Sequence, residues 1–459
     1  MAPASKDAET LALLQSAGTN GGKRILLRGG VLLSMDEKVG HHQSADVLIE
    51  GETIEAIAPN IDVNPGNAIV VDASNTIVMP GLIDAHRHAW QSALRGLIPA
   101  SSRHEYRALV HPKLAPNYTP EDMRIGNLAT SLGCIEGGIT CIIDNSHNAR
   151  SAEHSDGAIE GLLEAGIRAV HASGKPMDAN AGGGEQWPAD IGRLRKRYFS
   201  SEDQLLTLRL YSLLEQEAVD YARDNDLRLT AEFSDWLADR LDARIAENPE
   251  LPIITYNHCT GLSEKTWTQI RDTGGNVNVC PRADARFWIT HQPLPTAIEH
   301  GFRPGMSVDH EIVYSTSMFT EMNFAMIMQR AVVLSQQGTE GDPARTPLPP
   351  RTILECATVN NAECAGLADR IGSLTAGKQA DIILVRTDGM EIFPVNNAYG
   401  AVTTSANIGN VDTVFIAGKV RKFRGELLDV DFPRVRRELL SSREGIFARA
   451  GFQLDMFRD

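Results

Sequence analysis

The sequence lacks the features that would direct the chain to a membrane or to nucleic acid. Its apolar runs extend over only a few residues before a charge or a glycine interrupts them, which predicts no bilayer-spanning segment. Its first residues show no basic stretch followed by an apolar run, which indicates no secretory signal. Acidic residues outnumber basic ones by 59 to 44, and the net charge of −15 disfavours nucleic acid and anionic membranes as main partners.

Paired cysteines and nucleotide-binding loops are also missing. Six cysteines are scattered along the 459 residues without a CxxC pair, which is typical of buried reduced thiols rather than disulfides or a thiolate zinc site. Neither GxGxxG nor GxxxxGK[ST] occurs in a position that would open a nucleotide-binding unit. We therefore expect a cytoplasmic protein whose partner is a small-molecule substrate.

Short apolar runs separated by turn residues occupy both ends of the chain. They are rich in Ile and Val, are bounded by Gly, Pro, Asn and Asp, and lie in residues 24–77 and 366–430. The pattern predicts that the two segments pair into one small β-sandwich domain. Residues 1–23 are then an N-terminal extension and residues 431–459 a C-terminal helical tail.

The middle of the chain, residues 78–365, alternates strand-like runs with stretches of helical periodicity. Eight strand candidates follow one another: IVMPGLIDAH, GITCIIDN, GIRAVHA, LLTLRLYSL, LRLTAEF, PIITYNHC, GNVNVC and FRPGMSVD. Such alternation is typical of parallel strands joined by right-handed crossovers. Eight units in this length predict an α/β fold of the (β/α)₈ TIM-barrel type.

Polar residues stand where several of these strands end, which is the catalytic edge of a TIM barrel. The first strand ends in His86 and His88, which point to the same face of an extended chain because they are two residues apart. The sixth strand ends in His258 and the eighth in Asp309. Each of these has an ordinary explanation by itself. His86 and His88 could be a surface pair, His258 a partly buried histidine, and Asp309 a helix N-cap. Together they predict a metal site.

The sequence resembles the amidohydrolase superfamily in the segments VMPGLIDAHRHAWQSALRG and GSLTAGKQADIILV. The similarity extends from about residue 24 to residue 428 and is greatest to the branch of cytosine deaminases, guanine deaminases and triazine hydrolases. It implies one divalent metal, zinc before iron or manganese, and it implies a homo-oligomer, a dimer or larger. The implied reaction is hydrolysis of a non-peptide C–N bond in a small cyclic or aromatic substrate by an activated water.

The resemblance also implies roles for individual residues. His86 and His88 would be metal ligands from the first strand. Asp309 would be the ligand from the eighth strand and the base that takes a proton from the water. His258 would orient that water or polarise the leaving group.

The fifth strand departs from the family pattern. Members of this branch usually carry a histidine ligand at its end, whereas this sequence places Glu232 there. A carboxylate can coordinate zinc, and the harder donor set makes iron and manganese more competitive. Two alternatives stay open: a metal-independent lyase, isomerase or other reaction with Glu232 as acid or base, and a non-catalytic small-molecule binder.

Further residues are candidates for substrate contact. Asp284, Arg286 and Trp288 follow the seventh strand. Asp284 would keep the carboxylate that the family usually has there, whereas Arg286 and Trp288 would suit an anionic or aromatic substrate or simply belong to a solvated loop. Trp90 and Gln91 lie beyond the first-strand histidines, and the sequence does not separate substrate contact from packing there. His147 follows the second strand, where it would contact substrate or cap the next helix.

Overall fold

Eight parallel strands form the central sheet of this computed structural model. The structure describes residues 3–17, 24–64, 66–178, 187, 190–248, 250–287, 292–336 and 346–457. Each barrel strand pairs in parallel with the next one along the chain. The strands are β6 (Leu82–Arg87), β7 (Ile139–Ser146), β8 (Arg168–Ser173), β9 (Leu206–Ser212), β10 (Leu229–Ser234), β11 (Ile254–Thr260), β12 (Asn276–Val279) and β13 (Gly305–Met306).

The first and last barrel strands meet at their carboxyl ends, which closes the barrel. Arg87 and Asp309 form a parallel bridge, the Asp309 N–H donates to the carbonyl of His86 at 3.1 Å, and the His88 N–H donates to the carbonyl of Asp309 at 2.9 Å. The eight strand candidates of the sequence coincide with β6 to β13. The predicted (β/α)₈ fold is therefore confirmed.

Helices cover the outside of the barrel, and local sequence explains several of their ends. The hydroxyl of Thr119 accepts from the N–H of Asp122, whose carboxylate accepts from the N–H of Thr119, and this capping box starts α3. Gly166 ends α4 in the left-handed conformation (φ 66°). The helices of this part are α2 (Arg103–Leu109), α3 (Pro120–Glu136), α4 (Ala152–Ala165), α5 (Asp190–Arg197), α6 (Gln216–Asp224), α7 (Ala238–Glu247), α8 (Glu264–Asp272), α9 (Pro281–Phe287), α10 (Pro293–Glu299), α11 (Met318–Gln336), α12 (Pro350–Cys356) and α13 (Val359–Ala365).

A second, mixed sheet combines strands from both ends of the chain, as the sequence predicts. Its central contact is the antiparallel pair of β5 and β14. The strands are β1 (Arg24–Leu33), β2 (His41–Glu50), β3 (Thr53–Ala58), β4 (Ala68–Asp72), β5 (Thr76–Pro80), β14 (Ile382–Arg386), β15 (Val411–Ile416), β16 (Lys419–Phe423) and β17 (Glu426–Leu427). The other helices are α1 (Pro3–Ala17), α14 (Ala398–Gly400) and α15 (Phe432–Ala450).

The two largest of the four apolar clusters among the described residues reflect this division. The larger core joins the barrel strands to their covering helices, and the smaller one lies within the mixed sheet. An ion pair connects the two parts, since Arg168 of β8 donates to Asp381 just before β14 at 2.8 Å. All six cysteines are buried and unpaired, in agreement with the sequence-based interpretation. Within the described part of the chain, no helix is both long and apolar enough to cross a membrane.

Candidate active site

Four side chains from three strand ends converge at the carboxyl end of the barrel. The Nε2 atoms of His86 and His88 each lie 3.3 Å from Oε1 of Glu232. The same two nitrogens lie 3.3 and 3.2 Å from Oδ1 of Asp309. The structure thus brings together the two predicted first-strand histidines, the unusual Glu232 of β10 and Asp309 after β13.

The spacing of these donor atoms fits a tetrahedral metal ion. Ligand atoms 2.0–2.1 Å from an ion at the centre of a tetrahedron lie about 3.3–3.4 Å from one another, close to the separations found here. The Nε2 of His86 is buried and makes no hydrogen bond to any residue that the structure describes, although two carboxylate oxygens lie 3.3 Å away. The donors therefore face a common point rather than each other.

Cys280 offers an alternative donor, together with His86 and His258. Its thiol lies 3.2 Å from the hydroxyl of Ser307, and burial raises the pKa of the thiol well above its usual value. A carboxylate needs no such deprotonation to serve as a ligand. The chemistry of the donors therefore favours the group of His86, His88 and Glu232.

Backbone conformation contributes to this convergence. His258 and Asp309 have φ angles of 72° and 77°, in the left-handed region that residues other than glycine rarely adopt. Strained residues of this kind persist where the surrounding structure holds them, and they cluster at functional sites. Nine described residues other than glycine have such φ angles, and His258 and Asp309 are the two of them that the sequence places at the site.

His258 connects the donor group to a second carboxylate. Its Nδ1 lies 2.8 Å from Oδ1 of Asp284, and its Nε2 lies 2.9 Å from Oε2 of Glu232. Burial favours the neutral ring, but Cys280, Asp284 and Glu232 outweigh it and hold the pKa of His258 well above its usual value. The imidazole is therefore held at both nitrogens by groups that stabilise its protonated form.

The carboxylates of the donor group are ionised. Burial alone would raise the pKa of Glu232, but His86, His258 and His88 hold it well below the usual value. In the same way, burial opposes the ionisation of Asp309, and the surrounding imidazoles lower its pKa well below the ordinary range. Burial also disfavours protonated His88, yet Asp309 and Glu232 raise the pKa of that imidazole to about 10.

A cavity of about 60 Å³ lies above the donor group. Three further histidines line it and are neutral. Burial is the first cause in each case: it lowers the pKa of His111 to about 3 and of His310 to about 4, and it places the pKa of His147 well below 6.5. Neutral imidazoles each offer one hydrogen-bond donor and one acceptor, which suits a polar heterocycle.

The other lining residues are Arg103, Tyr106, Arg107, Met177 and Trp236. Sequence reasoning did not single them out, because all five lie in connections that follow β6 and β8 or just beyond the end of β10. Tyr106 stacks on His310 with a ring separation of 4.5 Å and an interplanar angle of 10°. The sequence indicates only that these segments follow barrel strands. It does not indicate which of their side chains point into the cavity.

The structure places the remaining sequence candidates around this cavity rather than all inside it. His147 lines it, and its Nε2 lies 2.9 Å from Nδ1 of His88. Trp90 is buried and packs edge-on against His147, while Gln91 donates to the hydroxyl of Tyr106 at 3.0 Å.

The two described candidates after the seventh strand, Asp284 and Arg286, do not line the cavity. Asp284 contacts His258, and Arg286 donates to the carbonyl of Ser101 at 2.8 Å. Trp288 lies outside the described residues.

A barrel with a histidine and carboxylate donor group at its carboxyl end is the architecture of a metal-dependent hydrolase. The amidohydrolase family model matches residues 77–421, so the chain belongs to that family. The chain is therefore an enzyme of the hydrolase class that acts on carbon–nitrogen bonds other than peptide bonds, as the sequence predicted. A group able to hold a metal ion is present in it.

Relatives and solved structures of similar sequence or fold are deaminases and a chlorohydrolase. A 5-methylthioadenosine/S-adenosylhomocysteine deaminase of Acetivibrio thermocellus is 25% identical over 80% of this chain and 86% of its own length. A 5′-deoxyadenosine deaminase of Methanosarcina mazei is 23% identical over 93% of this chain and 99% of its own.

Two solved structures share the fold. An adenosine deaminase from Xanthomonas campestris with bound zinc has a TM-score of 0.78 and 21% identity, and covers 93% of this chain and 99% of its own. A mutant atrazine chlorohydrolase from Arthrobacter aurescens, complexed with zinc and atraton, has a TM-score of 0.78 and 20% identity, and covers 91% of this chain and all of its own.

Proposed function

We propose that this enzyme is a deaminase of an adenine nucleoside or a closely related aminated heterocycle, and that it holds one zinc ion in the donor group. The single observation that carries the proposal is that the Nε2 atoms of His86 and His88 each lie 3.2–3.3 Å from one oxygen of Glu232 and one oxygen of Asp309. The names of the deaminase relatives support the choice of an adenosine-type substrate.

His86, His88, Glu232 and Asp309 would hold the ion. When bound, the ion lowers the pKa of a water molecule towards neutrality and so supplies the nucleophile. Two histidines and two carboxylates neutralise a divalent charge, which reduces the acidifying effect compared with a three-histidine site.

Asp309 accepts the first proton from the water. The water oxygen then forms a bond to the ring carbon that carries the amino group, and the bond between that carbon and the amino nitrogen breaks. His258 donates the proton that lets the nitrogen leave as ammonia, and the proton taken up by Asp309 replaces it at the end of the cycle. The net reaction consumes one amine and one water and releases a hydroxy or oxo heterocycle and one ammonia.

The residues that line the cavity favour a heterocyclic substrate. His111, His147 and His310 offer neutral donors and acceptors, and the stacked rings of Tyr106 and His310 form an aromatic wall. Both ring nitrogens of His310 are buried and make no hydrogen bond to any residue that the structure describes. A ring nitrogen or amino group of the substrate would satisfy them, at a gain of about 1 kcal/mol or more for each bond.

Ammonia release is the measurement that tests this function. Purified protein is stripped with a chelator, reloaded with zinc, iron or manganese, and assayed with adenosine, 5′-deoxyadenosine, cytosine, guanine and a chlorotriazine. We expect ammonia from the adenine nucleosides, loss of turnover in the stripped protein and recovery with one equivalent of zinc.

Two outcomes would contradict the proposal. Turnover that survives removal of all metal would support a metal-independent reaction that uses Glu232 as acid or base. Halide release from the triazine without ammonia from any amine would show that the leaving group is not an amine.

A further inference from the structure

Two arginines and an exposed tryptophan stand together at the mouth of the cavity. The guanidinium carbons of Arg103 and Arg107 each lie 5.9 Å from the centre of the Trp236 ring. All three residues line the same cavity as the donor group. Trp236 keeps 42% of its surface exposed, so its ring is accessible from solvent.

The two elements that carry these residues position them by ordinary local rules. Ser102 caps α2 through a capping box with Glu105, so Arg103 and Arg107 stand one turn apart on the same face of the helix. Trp236 lies in a short 3₁₀ turn, Asp235–Leu237, directly after β10. The strand that supplies Glu232 to the donor group therefore also places the tryptophan at the mouth.

The mouth carries positive charge, although the chain as a whole is acidic. The carboxylates of Glu232 and Asp235 interact electrostatically with the guanidinium of Arg103. Arg107 is exposed and forms no ion pair with any residue that the structure describes. Its guanidinium lies on the Trp236 ring, a contact that holds its orientation without using its N–H donors.

We propose that the substrate carries an anionic group, a carboxylate or a phosphate, on the part remote from the reacting ring, and that Arg103 and Arg107 bind it. This inference rests on the proposed function, because it takes the aminated ring to lie against the donor group and the remainder of the molecule to point outward. Guanidinium groups present planar sets of N–H donors that match carboxylate and phosphate oxygens. Trp236 supports both guanidinium groups and excludes water from one side of the contact.

The preference between charged and neutral ligands tests the proposal. Wild-type enzyme is compared with Arg107→Gln and Arg103→Gln on adenosine 5′-monophosphate, S-adenosylhomocysteine and neutral adenosine, with kcat/KM and the calorimetric Kd measured for each. We expect the ratio of anionic to neutral kcat/KM to fall about 10-fold or more in each variant. A larger fall in the ratio for adenosine 5′-monophosphate would indicate a phosphate site. A larger fall in the ratio for S-adenosylhomocysteine would indicate a carboxylate site.

Two further variants make the result specific. Arg107→Lys retains the charge but loses the planar set of donors, so we expect a smaller fall in the ratio than Arg107→Gln gives. Arg223→Gln removes a half-buried arginine on α6 that does not line the cavity, and we expect the ratio to stay at its wild-type value.

Binding distinguishes failure of this inference from failure of the proposed function. If no ligand releases ammonia but the anionic ones bind more tightly than adenosine, and Arg107→Gln abolishes that difference, the anion subsite stands and the deaminase proposal falls. If adenosine is turned over and bound as well as the anionic ligands, or if Arg107→Gln leaves the preference unchanged, the subsite is overturned. Absence of binding by every ligand would also overturn it.

Discussion

Glu232 and His258 are joined by a 2.9 Å contact between Oε2 of the carboxylate and Nε2 of the imidazole. The other oxygen of Glu232 faces His86 and His88 at 3.3 Å. One carboxylate thus contacts His86 and His88 through one oxygen and His258 through the other. A histidine that used Nε2 for the metal would have only Nδ1 left, on the opposite side of its ring, so it could not make both contacts.

Replacement of Glu232 by glutamine should weaken metal binding. The amide keeps the shape of the side chain but removes a negative charge from the donor group, so we expect metal affinity to fall about 100-fold or more. Metal content after dialysis, measured by elemental analysis, and ammonia release should fall together.

Glu232→His is the informative companion variant. It should retain metal, because imidazole is a zinc ligand, but it should lose the contact to His258 and therefore turn over more slowly. Full metal content and full turnover in Glu232→Gln would exclude Glu232 from the donor group.

Replacement of Asp284 by asparagine should slow turnover while the metal stays bound. Asp284 contacts Nδ1 of His258 at 2.8 Å and does not reach the donor group, so it acts as a positioning residue. We expect kcat to fall about 10- to 100-fold with KM and metal content nearly unchanged, together with a shift in the pH profile of kcat. Asp284→Glu, which retains the carboxylate, should recover part of the loss. A fall in metal content equal to the fall in kcat would argue against this role.

Replacement of Arg87 by methionine should destabilise the closed barrel. Arg87 is fully buried and is paired with Asp84 at 2.5 Å and with Glu311 at 3.1 Å, beside the bridge between β6 and the segment after β13. Removal of the guanidinium leaves the buried carboxylates of Asp84 and Glu311 without this partner. We therefore expect the free energy of unfolding to fall by about 3–5 kcal/mol.

The exposed pair of Arg24 and Glu50 provides the control for the buried one. Its arginine side chain is 39% exposed, so Arg24→Met should cost about 1 kcal/mol or less in urea unfolding. Equal losses in the two variants would show that burial of the Arg87 pair has no energetic consequence.

Glu321 should make the stability of the fold depend on pH. Burial raises the pKa of this carboxyl from 4.5 to about 7, although Arg282 opposes the shift. Because the folded state binds the proton more tightly, the contribution is fully present below pH 4.5 and is lost as the pH rises through about 7.

The variant Glu321→Gln isolates this contribution. Its stability relative to wild type should be greater at about pH 8 than at about pH 5, since wild type alone then buries the ionised group. Any constant cost of the amide beside Arg282 cancels in the comparison of unfolding free energies at the two pH values. A difference that does not change with pH would contradict the prediction.

Most of the fold could be predicted from the chain because its strands are local patterns. Apolar runs rich in Ile and Val and bounded by turn residues mark β6 to β13 one after another, and alternation with helices leads to a parallel barrel. The pairing of the two chain ends was predicted from their similar composition, and the contact of β5 with β14 realises it.

Part of the site could also be predicted from the sequence. His86 and His88 share a face because the strand has a period of two residues, and His258, Glu232 and Asp309 stand where strands end. Barrel topology then brings strand ends together whatever the loops do.

The sequence by itself determined the barrel and the positions of the candidate metal ligands, because those follow from periodicity and strand order. The enzyme class followed from the resemblance of its motifs to the amidohydrolase superfamily. The tertiary structure alone decided that Glu232 contacts both the metal donors and His258. It also decided that Trp90 and Asp284 do not line the cavity and that Arg103, Arg107 and Trp236 meet at its mouth. These contacts join residues up to 146 positions apart in the sequence, as for His86 and Glu232, and no local pattern records which side of a loop faces the cavity.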